Sequence, residues 1–179
     1  MLACDFLTVE TLGLQTLYIL FFFHLATRRV FVMGCTAHPT SAWVTQQARQ
    51  LIWELGENHL SIRFLIRDRD TKFTTTFDTV FQSEGVEIIR TPFRAPNANA
   101  YAERWVRTLR EECLDRIIVL NQFHLRRVLT EYSQYYNKRR PHQGLEGATT
   151  LPFDVPALDV PIRRRDVLGG IIHDYYRAA

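Results

Sequence analysis

The chain is poor in cysteine, and the few it has stand far apart. Cys4, Cys35 and Cys113 are spread over 179 residues with no Cys-x-x-Cys pair. An odd, dispersed set excludes a disulfide framework and a cysteine zinc site, and it fits a reducing cytoplasm. Long apolar runs are lacking too. The run from Leu17 to Phe23 is strongly apolar but only seven residues long, whereas a membrane-spanning helix needs about 20. Asp5 and Glu10 precede it, where a signal peptide would carry positive charge. Internal repeats are absent. With 46% hydrophobic and 23% charged residues, the composition is globular. It excludes a disordered chain, a collagen-like fibre and a coiled coil. The length allows one domain, or one domain with a tail.

The net charge of +3 is small but uneven. Residues 1–100 are neutral, residues 101–140 carry +4 and residues 141–179 carry −1. A local basic excess is compatible with a polyanionic partner, and equally with a solvated face.

Hydrophobic patterning gives the order of elements. Residues 3–9, 15–23 and 30–35 read as strands joined by short turns, an antiparallel meander. Pro39 followed by hydroxyl residues signals a helix start, with Thr40 or Ser41 as N-cap. The helix covers 42–56 and Gly56 stops it. Residues 62–66 form a fourth strand. Residues 74–84 form a short helix around Phe77, Val80 and Phe81, with Gly85 as C-cap. Residues 86–89 form a fifth strand. A loop with Pro92, Pro96, Asn97 and Asn99 follows, then helices over 100–117 and 121–137. After Pro141 the chain reads as irregular. Three strands followed by alternating helix and strand predict an α/β fold: a mixed five-stranded sheet flanked by helices on both faces. The ribonuclease H-like fold has this order. The expected division is a core over 1–145 and a C-terminal tail over 146–179.

Three acids stand out by position. Asp5 lies in the first strand, Asp68 follows the fourth, and Glu103 sits in the first turns of the helix after the proline loop. Hard divalent cations take oxygen ligands, usually one or two carboxylates each. Two such ions can clamp the attacking and leaving oxygens of a phosphodiester displacement. On the helix, Ala102, Val106, Leu109 and Cys113 form a core-facing stripe. Glu103, Arg107 and Arg110 form the neighbouring stripe, and arginine forks match phosphate. The same spacing suits a surface ion-pair ladder. Glu111 and Glu112 are further candidates, Asp70 competes with Asp68, and Glu10 competes with Asp5.

Five segments break these ties by resemblance. The first two are Cys4-Asp5-Phe6-Leu7-Thr8-Val9 and Phe23-His24-Leu25-Ala26-Thr27-Arg28-Arg29-Val30. The third is Ile66-Arg67-Asp68-Arg69-Asp70-Thr71-Lys72-Phe73, and the fourth is Asn97-Ala98-Asn99-Ala100-Tyr101-Ala102-Glu103-Arg104. The last is Tyr136-Asn137-Lys138-Arg139-Arg140-Pro141-His142. In this order they resemble the catalytic core of DDE-type insertion-sequence transposases, the branch similar to retroviral integrases. Glu103 follows Asp68 by 35 residues, close to that family's Asp–Glu interval.

The resemblance implies a catalytic and metal-binding triad of Asp5, Asp68 and Glu103 holding two Mg²⁺ or Mn²⁺ ions. It implies cleavage at a transposon end followed by strand transfer into target DNA. It implies DNA contacts from Asn99, Arg104, Arg107, Arg110 and Arg140, and a homo-oligomer on DNA. No membrane association is expected, and the place of action would be the bacterial cytoplasm and nucleoid.

The sequence departs from the family at three points. Asp70 stands where Gly is usual and is expected to cap the following helix. His24 replaces a frequent acid, and a surface position without a functional role is expected for it. The helix-turn-helix region that relatives carry before the core is not supplied here. An inactive truncated transposase, folded and weakly DNA-binding, is therefore the alternative expectation. A hydrolytic ribonuclease H-like nuclease fits less well, because the Arg140-Pro141-His142 segment follows the transposase pattern. Arg163-Arg164-Arg165 reads as a solvated tail or an extra phosphate contact.

Overall fold

A computed structural model describes residues 1–92, 99–151 and 160–177. Strands β1 (Leu2–Glu10), β2 (Thr16–His24) and β3 (Val30–Thr36) form the expected meander. Helix α1 (Ser41–Glu57), strand β4 (Phe64–Arg67), helix α2 (Thr75–Gln82) and strand β5 (Glu87–Arg90) follow. The sheet order is β3-β2-β1-β4-β5, with β4 and β5 parallel to β1. Helices α3 (Ala100–Glu112) and α4 (Gln122–Lys138) complete the body.

The alternation of β1 and β2 sorts the core into two layers. Leu2, Cys4, Leu20 and Phe22 face α1 and α2, where Phe77 and Phe81 pack on Phe22. Ala3, Leu7, Phe21 and Phe23 face α3 and α4. Asp5 lies opposite Phe21 in the register and so shares this second face. Strand parity therefore decides that Asp5 looks toward the helix that carries Glu103.

Local signals explain most boundaries, and some are corrected. Thr40 caps α1 by accepting from the Trp43 N–H. Gly56 does not stop that helix. The chain leaves it at Asn58 and His59, and His59 takes the left-handed conformation with φ 52°. Histidine is among the non-glycine residues enriched there. Helix α2 ends at Ser83, and Gly85 takes φ 73° two residues later. Helix α3 ends at Glu112, and Leu114–Arg116 form a separate 3₁₀ turn. The core stripe of α3 also includes Trp105, fully buried against Phe21 at a ring separation of 4.2 Å.

The C-terminal stretch is not irregular throughout. Strands β6 (Ile162–Val167) and β7 (Ile172–Arg177) form an antiparallel hairpin. It docks on α4 through Arg139–Asp174 at 3.2 Å and through the Leu168 N–H on Glu131. Arg163, Arg164 and Arg165 are exposed on this hairpin. Pro96 and Asn97 of the loop, and Pro152 and Pro156 of the tail, lie outside the described residues.

Helix α4 is also tied to the outer edge of the sheet. Asn137 accepts from the Val30 N–H at 2.9 Å and donates to the Val30 carbonyl at 2.8 Å. At the other end of β3, Gln122 donates to the Cys35 carbonyl at 2.9 Å.

Candidate active site

Asp5 and Glu103 line one groove together with Phe6, Val106, Arg107, Arg110, Glu111 and Asp115, about 370 Å³ in volume. Asp5 reaches it from the middle of β1, and Glu103 from the first turn of α3. Asp68 follows the end of β4, the parallel neighbour of β1, and both strands point to the same edge. Glu103 is exposed, and Asp5 and Asp68 are half-buried.

The electrostatics report how these acids face one another. Burial raises the Asp5 carboxyl from the ordinary carboxylate range to about 6. The Phe6 N–H, 2.7 Å from Oδ1, opposes that rise. The negative charges of Asp68, Glu103 and Asp70 add to it. A cation would relieve this repulsion, and the donors are all oxygen, which suits a hard divalent ion. Even so, no cluster of three or more candidate metal ligands is drawn together among the described residues.

Asp68 is held by its surroundings. Its Oδ1 accepts from the Asp70 N–H at 3.0 Å. Its carbonyl accepts from Arg67 Nη1 at 2.8 Å, while Arg67 Nε and Nη2 grip Asp78. Nothing in the sequence pattern pointed to Arg67 and Asp78, because the pair joins a strand end to a helix. Asp70 accepts from the Lys72 N–H and ammonium at 2.9 and 2.7 Å. It therefore caps the 70–73 turn rather than α2, whose N-cap is Thr74.

Asn99 sits at the N-cap of α3 without making the usual cap bond. Its amide crosses to β1 instead, 3.3 Å from the Cys4 carbonyl and 3.4 Å from Asp5 Oδ2. It pins the helix start to the strand that carries the first acid.

The expected basic residues divide. Arg104 and Arg107 are exposed and make no ion pair among the described residues. Arg110 donates to the Thr8 carbonyl at 3.0 Å and lies 4.0 Å from Asp115. Arg140 is committed to Glu112, with Nη2 at 2.7 Å and Nε at 3.0 Å from Oε1. Glu112 also accepts from the Tyr132 hydroxyl at 2.9 Å. The Tyr136-to-His142 segment thus works inside the fold: Asn137 holds β3, Arg140 holds α3, and His142 reaches the Tyr136 carbonyl. Burial lowers the pKa of His24. The residue is buried rather than on the surface, and its ring meets the Thr27 hydroxyl at 2.8 Å.

Known proteins share this fold. Residues 84–149 match the family model of the integrase core domain. The catalytic core of HTLV-2 integrase, solved with magnesium, superposes with a TM-score of 0.64. That match has 14% identity over 83% of this chain and 91% of that one. The fold is that of an integrase catalytic core. The BIV integrase catalytic core has a TM-score of 0.56 and 15% identity, over 83% of this chain and 90% of that one. A chain of the simian T-cell lymphotropic virus intasome, solved with PP2A regulatory subunit B56 gamma, has a TM-score of 0.66 and 10% identity. It matches over 99% of this chain and 66% of its own length. No curated protein sequence matches. Among the described residues, no helix is long and apolar enough to cross a membrane.

Proposed function

We propose that this integrase-type core is a metal-dependent polynucleotidyl transferase of the DDE kind. Asp5, Asp68 and Glu103 are its catalytic carboxylates, and DNA is its substrate. The observation that carries the reading is the shared groove: Asp5 from β1 and Glu103 from α3 open on the same space as Arg107 and Arg110. Asp68 follows the neighbouring parallel strand β4 and acts electrostatically on Asp5.

The three carboxylates would hold up to two Mg²⁺ or Mn²⁺ ions. When bound, such ions stabilise charge on the attacking and leaving oxygens of an in-line displacement. The protein's own part is positional. Arg67 fixes the backbone of Asp68, Asn99 ties α3 to β1 beside Asp5, and Arg107 offers a free guanidinium to a backbone phosphate. The displacements proposed are attack of water at a transposon-end phosphodiester, then attack of the freed 3′-hydroxyl on target DNA. Assembly into a homo-oligomer on DNA, in the bacterial cytoplasm and nucleoid, completes the reading.

The test is a thermal melt with and without Mn²⁺ on wild type, Asp68→Asn and Glu103→Gln, paired with nicking of labelled duplex DNA. Metal at ten times its dissociation constant stabilises by about 1.4 kcal/mol. The expected result is a Mn²⁺ shift and Mn²⁺-dependent nicking in wild type, both lost in the folded variants. A folded wild type with neither response sinks the reading in favour of an inactive remnant. Nicking retained in Glu103→Gln sinks the triad.

A further inference from the structure

The two flanks of α3 differ in charge. Glu103, Val106, Arg107, Arg110 and Glu111 face the acidic groove. Tyr101, Arg104, Trp105 and Thr108 face a second cleft of about 200 Å³, closed on its far side by Arg28, Arg140 and Gly144. Arg140 is neutralised by Glu112, and burial lowers the pKa of His142. Arg28 and Arg104 make no ion pair among the described residues, so they leave the cleft with uncompensated positive charge.

Two features show that this cleft is built. Arg28 occupies the turn between β2 and β3 at φ 62°, a conformation unfavourable for a residue with a side chain. Its guanidinium lies 4.6 Å from the centre of the Tyr101 ring. Gly144 closes on the same guanidinium, since a Cβ there would stand 3.6 Å from Arg28 Nη2. Independently, Trp105 is 1% exposed and its indole N–H is buried with no hydrogen-bond partner. An indole nitrogen can only donate, and buried donors in folded proteins are nearly always satisfied. The cleft thus holds two guanidiniums that make no ion pair among the described residues, and one of its lining residues, Trp105, carries a buried donor without a partner.

We propose that this cleft is a phosphate site, and that its occupant is a backbone phosphodiester of DNA running past α3 on the side away from the carboxylates. Arg28 and Arg104 would grip the non-bridging oxygens, and Trp105 Nε1 would donate to the same group. The assignment of DNA as the source rests on the function proposed above; the affinity for phosphate does not.

The experiment uses the full chain without metal. The indole N–H resonances of Trp43, Trp53 and Trp105 are followed by NMR during titration with inorganic phosphate, and the Trp105 signal is identified by its loss in Trp105→Phe. Phosphate is expected to move the Trp105 resonance in wild type and to do so about tenfold more weakly in Arg28→Gln and Arg104→Gln. A Trp105 resonance that stays still, or moves equally in the two variants, overturns the site.

A second arm measures duplex binding by fluorescence anisotropy across a salt series. Each variant is expected to bind more weakly and to lose about 0.9 from the slope of log affinity against log salt, whereas Arg49→Gln on α1 leaves both unchanged. Duplex binding unchanged in both cleft variants, with the indole shift intact, overturns DNA as the occupant and leaves a free phosphate ligand. Absence of duplex binding in wild type overturns the DNA function, while the indole signal still judges the cleft.

Discussion

Arg67 and Asp78 meet beneath the sheet as a two-pronged ion pair, with Nε 2.8 Å from Oδ1 and Nη2 2.7 Å from Oδ2. Both side chains are about 4% exposed. The third guanidinium nitrogen supports the carbonyl of Asp68. One buried cation thus joins helix α2 to the backbone of a proposed catalytic acid. Removing its partner strands a buried charge. Asp78→Ala is expected to cost roughly 3–5 kcal/mol in urea unfolding. The double change Arg67→Met with Asp78→Leu is expected to recover most of that stability while Mn²⁺-dependent nicking stays low. Recovery of both would show that Asp68 needs no such support.

Asn137 satisfies both backbone polar groups of Val30. Replacing it with alanine leaves both without that partner. The expected loss is about 1–3 kcal/mol by denaturant titration. An unchanged midpoint would mean that water replaces the amide at no cost.

The pH dependence of Asp5 has a definite sign. In the metal-free protein its carboxyl titrates at about 6, raised mainly by burial, whereas in the unfolded chain it titrates near the ordinary value of about 3.9. Between those limits the native state binds the extra proton. Stability therefore falls as pH rises from about 4 to about 6, then levels. Asp5→Asn removes this slope and is expected to be more stable than wild type above pH 6, by about 1–3 kcal/mol. Urea midpoints at pH 4.5, 6 and 7.5 in EDTA check it, and parallel profiles for the two proteins would refute it.

All three thiols are buried, and burial raises their pKa values, that of Cys113 to about 12. Reactive thiolate is therefore scarce at neutral pH. A thiol reagent at pH 8 is expected to label none of them within minutes and three after addition of denaturant. Rapid labelling of the native protein would contradict the packing around β1, β3 and α3.

The long helices were legible through their period, and the strands through alternation or an unbroken apolar run. β2 reads as one apolar run, and it is buried on both faces. The hairpin of β6 and β7 was not legible. Its residues Ile162 to Asp166 are all exposed, so no alternation marks a core face. Gly56 misled because a glycine inside a helix carries no mark that separates it from one that ends it; the termination fell to His59. In the site, Asp5, Asp68 and Glu103 could be named only through the resemblance. Spacing did not separate Asp68 from Asp70, and those roles rest on the activity test. The arginines could not be sorted from sequence at all. Arg104 and Arg107 stay free while Arg140 is consumed by Glu112, and that difference depends on which neighbour the fold delivers.

Strand β3 is an outer strand of the sheet, and such strands invite pairing with a foreign chain. Here the polar groups near both of its ends are already engaged, by Asn137 on Val30 and by Gln122 on Cys35. Helix α4 thereby acts as a guard against fibril-like stacking. A neighbour trying to extend the sheet at this side would first have to break bonds that span the whole length of the helix. Two amide side chains fifteen residues apart thus occupy polar groups that a foreign strand would need.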